Sequence, residues 1–159
     1  SNMSLVPTAF NSLGTDYWNA YEVSYDDDGN ATDEDGYYYT WDAAMNVCPS
    51  GWRLPSDSDW KVLEGHLGMS TLQQNQTNWR GTNQGTQLMV GGTSGFEAKL
   101  AGYYSTNATF YGRGRAVSLW SSSESGGDAY RRVLNFYKAT FARATLDKDT
   151  GISVRCLKN

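Results

Sequence analysis

The sequence predicts an α+β domain in which two short helices pack on short, twisted antiparallel sheets, with a long irregular loop region. Three observations lead to this prediction. Residues 40–68 carry two amphipathic helical patterns that are separated by prolines. Residues 117–157 contain apolar segments divided by turn residues, as antiparallel strands do. Residues 70–116, between them, are rich in Gly, Asn, Gln and Ser and contain no long periodic segment.

The first helix is predicted to begin after Thr40, a residue type that caps helix N-termini. It should end before Pro49, because the residue that precedes a proline is disfavoured in the α region. Its apolar residues recur at i, i+3, i+4 and i+7, which places them on one face. The predicted buried stripe consists of Trp41, Ala44, Met45 and Cys48.

The second helix is predicted to begin after Ser56, which Asp59 follows three residues later in the pattern of a capping box. Gly68 is a natural end for this helix, since glycine accepts the left-handed conformation of a C-terminal cap. The predicted buried face consists of Trp60, Leu63 and Leu67.

Strands are predicted at 117–120, 130–136 and 140–146, with turns at 121–127 and 147–151. The last segment, 152–156, alternates in the way that a strand does. One face of it would carry Ile152, Val154 and Cys156, and the other Ser153 and Arg155.

The two cysteines, Cys48 and Cys156, are both placed on apolar faces by these patterns. We predict a disulfide between them, and two buried, reduced thiols are the alternative. A bridge that closes a loop of about 100 residues stabilises a fold by roughly 4 to 5 kcal/mol in the chain-entropy model. A bridge would also indicate an oxidising compartment.

Composition and charge limit the domain organisation and the partners. One domain is predicted over residues 16–159, with a strand at 17–25, after a tail at 1–15. Ser1 and Asn2 resemble an expression scar, so we expect that a targeting segment has been removed. The net charge of −4 argues against nucleic-acid binding. No apolar run of 18 residues is present, so no transmembrane segment is predicted.

An acidic run at 26–36 contains six carboxylates in 11 residues. Carboxylate oxygens suit Ca²⁺, but the run lacks the 12-residue spacing of an EF-hand loop. A solvated insertion loop is therefore the preferred interpretation. We predict no metal and no cofactor. The weak candidates for metal ligands are Asp26, Asp28, Asp33 and Asp35.

Motifs for catalysis are missing from the sequence. His66 is the single histidine, so a His-based triad or a multi-histidine metal site has no partners. The nucleotide-binding loops and the G-x-S-x-G elbow do not occur. No spacing brings two glutamates together as in a glycosidase, although four are available: Glu22, Glu64, Glu97 and Glu124. The chain is therefore not predicted to be an enzyme.

Aromatic residues interleaved with Gly, Asn and Ser in the loop region are typical of a recognition surface. Ring faces and amides would suit a glycan, and a protein ligand would serve equally. The alternative is that these rings belong to the core, which is the preferred interpretation for Trp120 in its apolar strand. The candidate ligand-binding residues are Trp79, Tyr103, Tyr104, Tyr111, Arg113 and Arg115.

Several sequence motifs resemble those of the Fibrobacter major paralogous domain, a family of bacterial, often Bacteroidetes, secreted or surface lipoproteins. TWDAA at 40–44, CPSGWRLPS at 48–56 and Trp60 resemble its hallmark. GTNQGTQL at 81–88, LWSSSE at 119–124 and SVRC at 153–156 follow in the order of the family. The resemblance covers roughly residues 18–158 and implies a secreted or surface location, with lipid anchoring.

That family in turn is similar to the C-type lectin-like fold, in which a helix cysteine pairs with a cysteine in the last strand. Cys48 and Cys156 occupy those places. The letters RLP at 53–55, followed by Trp60, also resemble relatives of the formylglycine-generating enzyme, which share this fold. The calcium-dependent sugar motifs and the redox-active cysteines of these families are missing, so the resemblance implies a scaffold and no site.

The predicted function is a non-catalytic binding or adhesion module of a bacterial secreted or surface protein, which recognises a glycan or protein through its loop face. A structural subunit of a surface complex is the alternative. A divergent enzyme related to the formylglycine-generating enzyme is a third possibility.

Overall fold

A four-stranded antiparallel sheet flanked by helices forms the centre of this α+β protein. The computed structural model describes residues 38–159 and the backbone of two short paired strands, β1 (Ser24–Tyr25) and β2 (Ala31–Thr32). The predicted tail at 1–15, most of the predicted strand at 17–25 and the candidate metal ligands Asp26, Asp28, Asp33 and Asp35 lie outside the described residues.

The described part contains four helices and eight further strands. The helices are α1 (Trp41–Val47), α2 (Asp57–His66), α3 (Thr71–Gln74) and α4 (Gln84–Leu88). The strands are β3 (Trp52–Arg53), β4 (Asn78–Arg80), β5 (Tyr103–Tyr104), β6 (Phe110–Tyr111), β7 (Ala116–Ser125), β8 (Asp128–Asn135), β9 (Phe141–Asp147) and β10 (Leu157–Lys158). None of the helices in the described residues has the length and apolar character needed to cross a membrane.

The central sheet has the strand order β4-β9-β8-β7. The outer edge of β7 is covered by two parallel bridges, from Gly102 to Val117 and from Ser153 to Leu119. The hairpin β5–β6 and the C-terminal segment therefore both lie beside this edge, where their backbone groups satisfy those of β7.

The two faces of the sheet carry separate hydrophobic clusters, because successive side chains of a strand point to opposite faces. On one face, here called the α2 face, Leu134 and Phe141 pack with Trp60 of α2. On the other, the α1 face, Trp120 and Ala129 pack with residues of α1. Helix α1 covers only the end of its face that holds Trp120 and Ala129.

Helix α1 ends at Val47, before Pro49, as predicted. Its buried residues are Trp41, Ala44 and Val47, whereas Met45 is 43% exposed. The predicted stripe was therefore wrong by about one position, because the buried arc is centred on Ala44 rather than between Ala44 and Met45. Thr40 occupies the N-cap position, but its side chain makes no capping hydrogen bond.

Helix α2 begins with the predicted capping box, in which Ser56 accepts a hydrogen bond from the Asp59 N–H and the Asp59 carboxylate accepts one from Ser56. It ends in a Schellman motif at Gly68, which has a φ of +98°. Gly68 donates to Gly65 and Met69 donates to Glu64, as that motif requires. Trp60 and Leu63 are buried as predicted, and Leu67 is partly buried.

The turn predicted at 121–127 was wrong, because β7 continues to Ser125 past a bulge between Trp120 and Glu124. The serines are accommodated by hydrogen bonds to the start of α2. The Ser122 N–H donates to the Pro55 carbonyl, and the Asp57 N–H donates to Ser123 Oγ. Polar residues in this strand therefore join the sheet to α2.

The Cys48–Cys156 disulfide is present, with a Cα–Cα distance of 5.7 Å, and it joins α1 to the C-terminal segment. The predicted strand at 152–156 was only partly right. Bridges occur at residues 151–153, and regular pairing is confined to β10 with β3. Ile152 and Val154 lie in the α1-face cluster with Cys156, whereas Arg155 lies over the Phe96 ring on the opposite side.

Candidate functional site

A buried network of two carboxylates and three guanidinium groups connects α2 to the α2 face of the sheet. Arg132 is its centre, donating from Nη1 to Asp57 at 2.7 Å and from Nε to Glu64 at 2.9 Å. Arg143 donates to Asp57 at 2.8 Å, and Arg80 donates to Glu64 at 2.5 Å. Each carboxylate thus contacts two arginines, which compensates the cost of burying it.

The electrostatics of this network favour the ionised form of Asp57. Burial alone would raise the pKa of Asp57, but hydrogen bonds from Arg143 and the charge of Arg132 outweigh it and hold that pKa below its usual range. A general acid in a glycosidase needs the opposite, a carboxyl whose pKa is raised. Glu64, a candidate for such a role in the sequence, is completely buried. The network therefore contributes to folding and is not where we place the function.

The hairpin β5–β6 separates the predicted aromatic residues into two groups. Tyr103 and Tyr111 are paired across the hairpin, with ring centroids 5.5 Å apart in a stacked arrangement. The next pair, Tyr104 and Phe110, has centroids 4.6 Å apart and packs against the α2-face cluster. The alternation of a strand sends neighbouring rings to opposite sides, so Tyr104 contributes to packing there.

Gly102 allows the hairpin to approach the sheet. Its φ is +73°, and a Cβ at this position would overlap the carbonyl oxygen of Tyr111 and lie 2.6 Å from the backbone nitrogen of Arg113. Gly102 also bridges Val117 of β7, which places the following residue, Tyr103, beside Ser118. The stacked tyrosines therefore lie on the α1 side of the sheet, where Tyr103 packs against the edge of the α1-face cluster.

A row of cross-strand neighbours extends from this hairpin across the whole α1 face. Ser118 is opposite Val133, Val133 is opposite Ala142, and Ala142 is opposite Trp79. Ser118 and Ala142 are buried, and the larger side chains around them are partly exposed. Four strand spacings separate Trp79 from Tyr103, or roughly 19 Å. We call this surface the open face; its partly or fully exposed residues are Trp79, Tyr103, Tyr111, Arg131 and Val133.

The remaining predicted site residues lie near the hairpin. Arg113 and Arg115 occupy the turn that connects β6 to β7, and Arg115 is exposed. The Arg115 carbonyl accepts a hydrogen bond from the Phe136 N–H, so this turn contacts the β8–β9 turn. Trp79, at the opposite edge, has Lys138 Nζ 5.3 Å from its ring centroid. The structure thus brings three of the six candidates, Trp79, Tyr103 and Tyr111, to the open face.

Trp120 is completely buried, and its indole N–H donates to the Tyr39 carbonyl at 2.7 Å. The interpretation of this ring as part of the core is therefore confirmed. The reason is its position under α1, at the covered end of the α1 face.

Three residues at the surface were not among the candidates predicted from the sequence. Phe136 and Tyr137 lie in the β8–β9 turn and are 57% and 69% exposed. Two aromatic residues followed by a lysine at the end of a strand would have been a usable signal. Arg131 lies on the open face, whereas Arg132 lies in the buried network. Strand alternation predicts opposite faces for the two, but which face is open depends on the tertiary structure.

A metal site is not formed by the residues that the structure describes, because no three His, Cys, Asp or Glu side chains come together among them. Ion binding by the acidic run at 26–36 stays a prediction, because its candidate ligands lie outside the described residues.

Comparison with known proteins identifies the family of this chain. The family described as the Fibrobacter succinogenes major domain matches residues 6–158, which is almost the whole chain. No curated protein and no solved structure matches. The match agrees with the motifs at 40–60, 81–88 and 153–156, and it includes every residue of the open face. The chain therefore belongs to the Fibrobacter succinogenes major domain family.

Proposed function

We propose that this protein is a non-catalytic binding module that recognises a glycan through the open face. The observation that carries the proposal is the placement of Trp79, Tyr103 and Tyr111 on one side of the sheet, partly or fully exposed. Aromatic faces provide apolar contact for the C–H faces of sugar rings, and the polar edges of Tyr and Trp provide hydrogen bonds.

Preorganisation is the mechanism of binding in this proposal. Trp79 is held by strand pairing with β9, and Tyr103 and Tyr111 are held by each other and by the Gly102 contact. Asn107 Nδ2 also donates to the Tyr111 hydroxyl at 3.2 Å, which orients that ring. Rings that are already ordered lose little conformational entropy when a ligand binds, so weak individual contacts add to useful affinity. No cofactor or metal is required.

We propose a secreted or cell-surface location for the protein, as a lipoprotein. The disulfide supports an oxidising compartment, and the family resemblance supports the surface. We also propose that the fold is C-type lectin-like. The support is the order of its parts: a helix that carries Cys48, a second helix, and a C-terminal segment that carries the partner Cys156 beside the sheet.

A structural subunit of a surface complex is the second candidate function, and a separate feature favours it. Phe136 and Tyr137 form an exposed T-shaped pair with ring centroids 4.8 Å apart at the β8–β9 turn. Adjacent exposed rings of this kind are typical of protein contacts. In this alternative the β8–β9 turn, rather than the open face, is the functional surface.

A glycan array with five proteins tests the two candidates. Wild-type protein and the Phe136→Ala variant should bind the same glycans, whereas Trp79→Ala and Tyr111→Ala should lose binding by at least tenfold. Thermal unfolding of each variant checks that the fold is kept, and Leu72→Ala, on an exposed side chain of α3, is the matched surface control. Sedimentation measures self-association in parallel. Loss of binding only in Phe136→Ala, or no glycan bound by any protein, would contradict the module and favour the assembly subunit.

A further inference from the structure

Arg131 is a half-buried cation of the open face, and no carboxylate among the described residues pairs with it. Its Nη1 donates to Ser118 Oγ at 2.9 Å, and this is the one side-chain hydrogen bond that it makes to the described residues. Its Nε is buried without a hydrogen-bond partner in that part of the chain. Burial lowers the pKa of Arg131, and the nearby hydroxyl of Tyr103 acts in the opposite direction. The guanidinium therefore retains hydrogen-bonding capacity next to the stacked tyrosines.

The other three arginines of the central sheet differ from Arg131, because each of them is paired with a buried carboxylate. Arg80, Arg132 and Arg143 each donate to Asp57 or Glu64 at 2.5 to 3.0 Å. Arg131 is adjacent to Arg132 in the sequence, yet alternation turns it to the opposite face, where none of the described acidic side chains pairs with it. Burying a cation without an anion costs free energy, and a ligand that supplies the anion would recover it.

The described stretches of the sheet and hairpin that form the open face carry basic residues and no acidic ones. Residues 98–123 and 129–146, which form the hairpin and most of β7, β8 and β9, contain no Asp or Glu. The charged side chains near the surface are Arg113, Arg115, Arg131 and Lys138. Among the described residues, this segregation of charge favours an anionic ligand at the open face.

We propose that the ligand of the open face is a carboxylated saccharide, and that Arg131 binds its carboxylate. This inference rests on the proposed function and names its ligand class. A guanidinium binds a carboxylate through two parallel N–H donors, with geometry that an ammonium lacks. Tyr103 and Tyr111 lie on one side of Arg131 and Trp79 on the other, so a chain of sugar rings could stack while one ring presents its carboxylate. An acidic peptide would match the charge, but it has no repeated sugar ring to stack on this series of aromatic rings.

The test is calorimetric titration with oligosaccharides of galacturonic, glucuronic and mannuronic acid, each compared with its carboxyl-reduced, neutral form. We expect wild-type protein to bind at least one acidic oligosaccharide at least tenfold more tightly than the neutral form. Arg131→Gln should remove that preference, and Arg131→Lys should restore only part of it. Lys158→Gln, an exposed change on β10, should bind as wild type does. Tyr111→Ala should weaken acidic and neutral forms alike.

The outcomes separate the inference from the function on which it rests. Tyr111-dependent binding of neutral oligosaccharides with no acidic preference would overturn the inference and leave the glycan module standing. Tighter binding of a poly-glutamate peptide than of every acidic oligosaccharide would overturn the saccharide class. The wild-type comparison of acidic with neutral forms needs no variant, so it tests the preference for a carboxylated ligand even if Arg131→Gln fails to fold. No binding of any saccharide would overturn both proposals.

Discussion

Arg131 and Arg132 show how strongly the surroundings of a residue determine its role in this protein. The two are identical in chemistry and adjacent in sequence. Arg132 is completely buried between Asp57 and Glu64, whereas Arg131 reaches the open face and pairs with no acid in the described part of the chain. One guanidinium therefore stabilises the fold, and the other is available to a ligand.

The buried network should be sensitive to the loss of one charge. We expect Glu64→Gln to lower the free energy of unfolding by about 3 to 5 kcal/mol, because it leaves Arg80 and Arg132 with one carboxylate fewer. Urea denaturation measures the change. Glu124→Gln is the matched control, since Glu124 is exposed and forms a surface pair with Lys148, so its loss should stay below about 1 kcal/mol. Equal losses would contradict a structural role for the network.

The stability of the protein should fall in acid because of Asp57. The pKa of Asp57 is lower in the folded protein than the ordinary value of 3.8 that applies to the unfolded chain. Its stabilising contribution is therefore complete above about pH 5 and is lost as the pH falls below about 4. Denaturation between pH 7 and pH 2.5 should show this fall, and Asp57→Asn should reduce its slope. Asp149→Asn, at an exposed turn, should keep the wild-type slope; an unchanged slope in Asp57→Asn would contradict the prediction.

At the scale of elements, the β5–β6 hairpin depends on one glycine, and helix α2 depends on its caps. The capping box and the Schellman motif of α2 are local devices, formed by residues within five positions of one another. The hairpin is different, because Gly102 meets Tyr111 and Arg113 across the turn and bridges β7. Its position on the open face therefore depends on contacts that are distant in the sequence.

Gly102→Ala should displace the hairpin and weaken ligand binding together. The added Cβ meets backbone atoms that cannot move alone, and the positive φ is strained for any L-residue. We expect a larger loss of thermal stability than in Gly114→Ala, whose φ is also positive but whose added Cβ meets no atom within 4 Å. Near-ultraviolet circular dichroism would report the change in tyrosine packing. Identical melting temperatures for the two variants would show that the close approach is unimportant.

At the scale of the whole molecule, the disulfide joins parts of the chain that are 108 residues apart. It attaches α1 to the C-terminal segment, and both belong to the α1-face cluster with Trp120. The α2 face is held separately, by the ionic network and by the packing of Trp60. The open face lies beyond α1, at the end of the sheet that neither helix covers.

A cysteine cycle tests the contribution of this bond. Cys48→Ala and Cys156→Ala should each lower the free energy of unfolding of oxidised protein by up to about 4 to 5 kcal/mol, the value for a loop of this length. The double variant should lose no more than either single variant, because each change removes the same bond. Additive losses would contradict this expectation. Wild-type protein measured in reductant is the control, and it should match the double variant.

Local chemistry accounts for the part of this fold that was predicted from the sequence. The helices were located because prolines, caps and apolar spacing act within a few residues. The three long strands were located from their apolar and β-branched content, although β7 exceeded its prediction because its serines bond to α2. The disulfide was predicted because both cysteines lie on apolar faces, and the coordinates confirm it.

The sequence by itself therefore determined the α+β class, the two helices with their ends, the pairing of Cys48 with Cys156, and the family. The tertiary structure alone decided which faces are covered. It separated Tyr103 from Tyr104, buried Trp120, and left Arg131 open while enclosing Arg132. The physical reason is that alternation along a strand only assigns residues to two faces. Which of those faces meets water depends on where distant helices and hairpins pack.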